Sequence, residues 1–520
     1  MYDAKKTSFE LKKISSVIAL MLLLQSTAFA QEQKNYIENM KAGIQSLIKP
    51  KEDHSYTTVQ LKELSNFDFQ PDATIAEFPV IQPADPTQIV NNTNTNIYKE
   101  QPGWQNIPAI KREYTLEEIV NIALQRNPEV AQGIATLSSQ NANVDVAKSR
   151  YYPQLSAGAS SGDFTSKDRG RMLYTVEANQ LLYDFGKVTA SVNVQEALLT
   201  VEQGNVLINI DNIATDTTRS VIGILRYREL VRIAEEQLKG VKRLHEMAVL
   251  RARAGISSNA DPVQAQSYVE YAESYLITQK NALKQEEQKL RTLVGFGVEN
   301  VSFNLSEDFV KKSGVYSDLE LNTIPSMMVA KSEIDVAQFQ KKQTQLSRYP
   351  TVNLVGSIDK AINGIHPNTG KEGDLDSSIG ISMSSNFYQG GAVGSQIRAA
   401  NFAEVAARAK LNSTYLNILD VTRTARENII NTEQQISFLK ARETSTAQTR
   451  ELYEEQYKLG KRSILDLMSS EQSYHSSRAE RESARYSIYD TIATFINVAG
   501  KSRDIYQLNN IKIQGFEIQP

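Results

Sequence analysis

LLYDFGKV at residues 181–188 returns as NFYQGGAV at residues 386–393, which sets Tyr183 on Tyr388 and Gly186 on Gly391 at an interval of 205 residues. The same interval carries Gly255 onto Gly460, Asp261 onto Asp466 and Gly295 onto Gly500. Upstream, Pro128 falls on Pro325 and Tyr152-Pro153 on Tyr349-Pro350, at an interval of 197. Two constant intervals that differ by 8 residues describe one unit used twice, with a single insertion between Pro350 and Tyr388. Two copies of about 200 residues are too long for a solenoid repeat and too few for an array. The reading is a duplicated half, 113–300 and 301–500, whose copies combine about a symmetric axis.

Each copy shows the same succession of periods. Thr115 followed by Glu118 is a capping-box pattern, and Val130, Ile134, Leu137 and Val144 then form a heptad stripe. Tyr152-Pro153 ends that helix, because proline disfavours helical geometry in the residue before it. Leu155, Ala157 and Ala159 alternate with Ser156, Gly158 and Ser160, and a polar loop over 163–171 leads to a second extended run through Tyr183. In the second copy Val352, Leu354, Gly356 and Ile358 alternate with Thr351, Asn353, Val355 and Ser357. Beyond a loop over 363–377, which is the place expected for the insertion, Ile379, Ile381 and Met383 alternate with Gly380, Ser382 and Ser384. Each run has about the 9–11 residues that a tilted transmembrane strand needs.

Proline is absent from Gly186 to about Arg253 and from Gly391 to about Leu459. Each stretch is long enough for about 100 Å of helix at roughly 1.5 Å per residue. Gly255 and Gly460 mark turns, and helices return to Gly295 and Gly500. Thin apolar stripes among Ala, Ser, Gln, Asn and paired charges suit side-by-side coiled-coil packing with one wet face. Two hairpins supply four candidate membrane strands. An open sheet in lipid leaves backbone groups unsatisfied, and bacterial barrels begin at about eight strands. The strands therefore call for a barrel shared between copies; the alternative is a soluble hairpin pair packed under helices.

Residues 1–30 read as a secretory signal, with Lys5, Lys6, Lys12 and Lys13 before the apolar run 17–24 and Ala28-Phe29-Ala30 before Gln31. Gln31 is not cysteine, so no lipid anchor is expected there. Residues 31–112 hold seven of the fourteen prolines and an amide-rich tract at 91–96, which reads as an extended periplasmic leader with a short helix at 36–48. Cysteine is absent, so stability must come from packing or assembly. Removing the signal takes the net charge from −3 to −5, and mild acidity spread along the chain argues against nucleic acid as a partner.

Across 113–500 these residues resemble the TolC family of outer-membrane channel-tunnels. The motifs that carry the resemblance are Tyr-Pro before each strand, the strand-to-helix turns at Gly186 and at Gly390-Gly391, and YKLGKRSILDLMSSEQSY at 457–474. The resemblance implies a mainly α fold with a transmembrane β part. Three chains would share a twelve-stranded barrel in the outer membrane of a Gram-negative cell, continued by an α-helical barrel across the periplasm. Its implied partners are outer-membrane lipid, a periplasmic adaptor and an inner-membrane ABC or proton-driven transporter. It implies a passive exit duct and no enzyme or cofactor.

The resemblance also supplies a gate at the periplasmic mouth. Tyr457 and Arg462 match the family's gate tyrosine and arginine, Asp261 the acid that accepts from them, and Asp466 the acid whose copies ring the mouth. The turns at Gly255 and Gly460 fall at the helix tips where the adaptor would dock. An arginine fork on a carboxylate is strong yet breakable by competing contacts, and a ring of carboxylates attracts cations. The family's second ring acid is Ser469 here, which weakens the case for a divalent-cation plug. As ordinary charges near helix ends, the same residues would form exposed pairs of little worth.

Other strings mislead. Asp184-Phe185-Gly186 spells a kinase motif without its companions, and the counterpart Gln389-Gly390-Gly391 makes both a strand-to-helix turn. Gly390 to Gly394 imitates a dinucleotide loop but lacks a βαβ unit. His245-Glu246 has Val249 where a zinc protease needs its second histidine, while His54, His366 and His475 are scattered singles. The cargo is read as protein, in the manner of type I secretion, with small-molecule or multidrug efflux as the alternative. Rivals of other classes are a periplasmic coiled-coil scaffold and a trimeric adhesin, whose strands would lie together at the C-terminus.

Overall fold

The computed structural model describes residues 113–162, 171–305, 309–363, 366, 368–386 and 388–518, all within one compact unit, Thr74–Pro520. The signal, the leader with its 36–48 helix, His54 and residues 163–170 of the first loop lie outside the described residues.

A short strand β1 (Glu113–Thr115) leads into helix α1 (Leu116–Arg126). The capping box forms as the sequence predicts: Glu118 N–H donates to Thr115 Oγ1 and Thr115 N–H to Glu118 Oε2, both at 3.2 Å. Helix α2 (Pro128–Ser149) starts with proline at its first turn and Asn127 as cap, and it ends before Tyr152-Pro153. Its heptad stripe turns inward: Val130 and Val144 are buried, and Ile134 and Leu137 pack against the core.

Next come β2 (Gln154–Gly162) and β3 (Arg171–Tyr183), and in the second half β5 (Thr351–Asn363) and β6 (Leu375–Ser384). Three boundaries differ from the sequence reading. Asn363, read as the first residue of the second loop, ends β5 and pairs with Met172. Arg171 and the stretch 375–377, read as loop, belong to β3 and β6, because ladder pairing such as Leu375↔Lys360 and Ser377↔Ile358 holds polar residues in strand geometry. All neighbours are antiparallel in the order β2-β3-β5-β6, so β3 joins the two hairpins and β2 and β6 are left as edges.

Register sorts the side chains, since directly opposed residues share a face. One face carries Ala157↔Val176↔Ile358, Ala178↔Gly356↔Ile379, and Leu354↔Ile381 with Val352↔Met383. The other carries Ser156↔Glu177↔Ser357↔Ser378 and Gly158↔Thr175↔Asp359↔Asp376. The first face is mainly apolar and exposed, with Leu155, Ile379, Ile381 and Met383 each more than half open, although Gln180, Lys360 and Ser377 share it. The second is polar and acidic.

The strands feed two helices of equal length, α3 (Lys187–Arg253) and α7 (Ala392–Lys458), each 67 residues and about 100 Å long. Two more equal helices follow, α4 (Ala260–Val294) and α8 (Ile464–Val498), of 35 residues each. Asp184 caps α3: its carboxylate accepts from Gly186 N–H at 2.9 Å and Val188 N–H at 2.6 Å, so the kinase-like string is a helix cap. Gly186 and Gly391 occupy the left-handed region at φ +88° and +83°, and Gly390 precedes its helix at φ +59°.

Between the halves lie β4 (Ser302–Asn304), which pairs parallel to β1, a short helix α5 (Phe309–Lys312), and α6 (Pro325–Leu346), which packs on α3 and α7. The chain closes with α9 (Ser502–Ile505) and the small hairpin β7 (Lys512–Ile513) and β8 (Phe516–Glu517). The main core lies where α1, α3, α4, α7, α8 and this last segment meet, around Ile119, Ile210, Ile224, Leu290, Ile492 and Tyr506. A second core sits near the α3–α4 and α7–α8 turns, around Leu244, Ala265, Val269, Tyr457, Leu467 and Met468. Among the described residues no helix is long and apolar enough to cross a membrane. That says nothing against the sheet.

Candidate functional site

The two helix-tip turns are built alike. Gly255 and Gly460 take φ +69° and +73°, where a Cβ would be strained. At the first turn Ile256 N–H donates to Arg251 O at 2.9 Å and Gly255 N–H to Ala252 O at 3.0 Å. At the second, Lys461 N–H donates to Gln456 O at 2.9 Å and Gly460 N–H to Tyr457 O at 3.0 Å. Both are Schellman caps, which glycine alone closes without strain.

Tyr457, at the end of α7, turns into the second core and is 3% exposed. Burial first, and then the negative charge of Asp261, push its phenol above the usual tyrosine range, while Arg251 opposes them. Its hydroxyl finds no hydrogen-bond partner among the described residues. The structure thus brings Tyr457 and Asp261 together, but the Asp261 carboxylate itself makes no hydrogen bond or ion pair among the described residues. Arg462 bonds within its own hairpin. Its Nε donates to Gln456 Oε1 at 3.0 Å, its guanidinium lies 4.4 Å from the Tyr453 ring centre, and its Nη1 stands 3.8 Å from Asp466 Oδ2. Ser463 caps α8 in a capping box with Asp466: Asp466 N–H donates to Ser463 Oγ at 3.2 Å, and the Asp466 carboxylate accepts from Ser463 Oγ at 3.0 Å. Within one chain, therefore, Arg462 is tied to Asp466 and not to Asp261.

Three groups near the tip were not singled out from the sequence. Arg243 on α3 holds Glu454 on α7 with two bonds, Nη1–Oε1 at 2.7 Å and Nη2–Oε2 at 2.9 Å. That fork, ahead of Lys458, draws the Glu454 carboxyl down to about 2. Arg251 lies 4.8 Å from the Tyr457 ring centre. Farther up α8, His475 Nε2 and Glu471 Oε1 are 3.2 Å apart and both residues are buried, with Arg450 3.7 Å from Glu471. The spacing of Glu471 and His475, four apart on a helix, was a visible signal. For Arg243 and Arg251 no local signal exists, because their partners are more than 200 positions away.

Above this core the wall is less tightly filled. A cavity of about 500 Å³ is lined by Gln237, Tyr271, Tyr275, Leu439, Gln472 and His475, among others. Gly240 faces Glu471, and a Cβ there would overlap the buried Glu471 carboxylate. Gly→Ala within a helix ordinarily gains about 1 kcal/mol. Here Gly240→Ala should instead cost about 1–3 kcal/mol by overpacking, read as a lowered melting temperature of the purified protein. A rise would mean that Glu471 moves freely.

The sequence model of the outer membrane efflux protein family matches residues 119–296 and 316–501. The chain belongs to this family. Outer membrane protein TolC of Salmonella enteritidis is 23% identical over 390 residues, 71% of this chain and 79% of that protein. Alkaline protease secretion protein AprF of Pseudomonas aeruginosa is 21% identical over 355 residues, 65% of this chain and 72% of that protein. In fold, the crystal structure of the outer membrane protein VceC of Vibrio cholerae matches with a TM-score of 0.65 at 17% identity, over 74% of this chain and 96% of that one. The chain is thus a TolC-family outer-membrane protein, and its general role is that of an export duct.

Proposed function

We propose that three copies of this chain share a twelve-stranded barrel and form the exit duct of a tripartite export system, with protein as the cargo. The observation that carries this reading is the sheet: four strands with one mainly apolar exposed face, one polar acidic face and two open edges. Such a sheet is stable in lipid only when further copies close its edges, with the apolar face outward and the acidic face lining the lumen. The equal lengths of α3 and α7, and of α4 and α8, support one unit used twice, which two halves of an α-helical barrel require. Exposed Leu250, Ile256, Val263 and Leu459 crown the turns at Gly255 and Gly460 and offer an adaptor an apolar docking rim. Energy comes from the inner-membrane transporter, and the duct itself is passive and not enzymatic.

Asp261, Tyr457, Arg462 and Asp466 form the gate of this duct. The Asp261 charge reaches Tyr457, Tyr457 has a buried hydroxyl with no partner among the described residues, and Arg462 has a partly exposed guanidinium. In the proposed trimer, Arg462 links to the Asp261 of the next copy. An adaptor or transporter that competes for these groups frees the α7–α8 hairpin to swing outward. A small-molecule efflux duct is the second reading, favoured by the family to which the chain belongs. Protein cargo is favoured by the absence of cysteine at position 31, by the Pro/Asn-rich leader and by the likeness to AprF.

Single-channel recording in a planar bilayer, wild type beside Arg462→Glu, tests both duct and gate. Small cation-selective openings that widen in the variant are expected. A heat-resistant trimer without conductance, or with conductance unchanged by Arg462→Glu, would remove Arg462 from the gate. Failure to insert would replace the duct by a periplasmic scaffold.

A further inference from the structure

We propose that Arg251 is a positioning residue of the mouth, a latch by which the first half of the chain holds the α7–α8 hairpin closed. The inference rests on the duct reading and adds a tie within each chain.

Arg251 stands in the last turn of α3 but serves the last turn of α7. Its Nη1 donates to Tyr457 O at 2.9 Å and reaches Lys458 O at 3.5 Å. These carbonyls belong to the end of a helix, where the intrahelical donors run out and the dipole is negative. A cation there is favoured twice, once by hydrogen bonding and once by the dipole. The same guanidinium lies over the Tyr457 ring at 4.8 Å, a cation–π distance. Gly460 completes the fit: a Cβ at that position would stand 3.7 Å from Arg251 Nη2, so the turn passes close beside the guanidinium.

Geometry makes this contact a latch and not general packing. Arg251 touches the hairpin through one group that makes three contacts at once, so an outward movement of α7 breaks all three together. Nothing on α3 replaces them, and Arg251 Nε is already buried without a partner. Separation also uncovers the Tyr457 ring, which the second core otherwise buries. Toward the barrel, the next tie between α3 and α7 is the Arg243–Glu454 fork, two turns along the helix. Among the described residues, two side chains of α3 thus bond α7 near the mouth, Arg243 and Arg251, and Arg251 is the one nearest the turn. Arg462, which bonds within its own hairpin, cannot do this work.

The test is single-channel recording of the intact protein with Arg251→Gln, which keeps a polar side chain but loses the charge and the fork. Its open-to-closed ratio should rise about tenfold, the size expected when one charge-assisted hydrogen bond is lost. The variant should still run as a heat-resistant oligomer, which a residue that merely supports the fold would not allow. Arg251→Gln combined with Arg462→Glu should open further than either change alone, because the two ties act on different boundaries. If Arg251→Gln does not assemble, Arg251→Lys carries the test, since a single ammonium satisfies one carbonyl and gives an intermediate ratio. Gating equal to wild type in the assembled variant overturns the latch. Absence of conductance in wild type itself would instead overturn the duct reading.

Discussion

Ile379→Arg will stop the protein from entering the outer membrane, while Ser378→Arg, one residue away, will not. The two positions lie at the same depth on β6 and on opposite faces. Ile379 pairs with Gly356, in line with Ala178, and its side chain is 57% exposed. Ser378 pairs with Ser357, in line with Glu177, and its hydroxyl lies 3.0 Å from that of Ser357. In the shared barrel proposed above, the first face meets lipid and the second meets water. An arginine on the lipid face near the bilayer centre costs about 2–4 kcal/mol, and closing the barrel from several copies multiplies that cost. On the lumen face an arginine has water and the Glu177 carboxylate nearby. Membrane fractionation and resistance of the oligomer to heat report the outcome. Insertion of Ile379→Arg together with failure of Ser378→Arg would invert the barrel, and indifference to both would return the sheet to a soluble role.

Much of this architecture was legible in the sequence because it depends on local rules. Alternation at 352–358 and 379–383 marks strands, since period two is the signature of a sheet with two unlike faces. Gly186, Gly255, Gly391 and Gly460 mark turns because each takes a conformation that other residues avoid, and their interval of 205 residues returned as helices of equal length. The start of β6 was not legible. Leu375 lies among Asp374, Asp376 and Ser377, and pairing with β5 overrides that polar local composition. Which strands join the two hairpins was equally hidden, because β3 could meet either strand of the second hairpin on periodicity alone. At the mouth, the sequence supplied Asp261, Tyr457, Arg462 and Asp466 by resemblance only. It could not show that Arg251 takes the end of α7, since that depends on how two distant helices lie side by side, whereas the partners of Arg462, Gln456 and Asp466, are only six and four positions away.

Asp211 was hidden for a further reason. In the run Ile210-Asp211-Asn212-Ile213 it reads as the wet edge of an amphipathic helix, yet it is 2% exposed. The cause is the C-terminal segment, whose α9 lies against α3. There Tyr506 Oη meets Thr218 Oγ1 at 2.8 Å, and Gln514 Nε2 reaches Leu124 O and Asn127 O at 2.9 Å. Burial pushes the Asp211 carboxyl up to about 7, against the pull of Arg503 and the Ser502 hydroxyl. One carboxylate oxygen has no partner among the described residues. The other charged and titratable groups near this pocket are Tyr506, itself pushed up by burial, and Glu117 of α1, whose charge reaches Tyr506.

The sign follows from linkage. The folded chain keeps the Asp211 proton up to about pH 7, whereas the unfolded chain releases it near the usual 3.8, so stability falls as pH rises from about 4 to 7 and is flat above. Over that window the loss is about 4 kcal/mol at roughly 1.4 kcal/mol per pH unit. Asp211→Asn imitates the protonated acid. At pH 5 it should match wild type, and at pH 8 it should hold the segment 502–518 more firmly, read as slower hydrogen exchange across α9 and β7–β8. Wild type should show exchange that quickens from pH 5 to pH 8 beyond the intrinsic chemical rate, and Asp211→Asn should remove that excess. An excess that survives in Asp211→Asn would assign the pH response to other groups, and a variant less stable than wild type at pH 8 would mean that the Asp211–Arg503 attraction outweighs the cost of burying the charge.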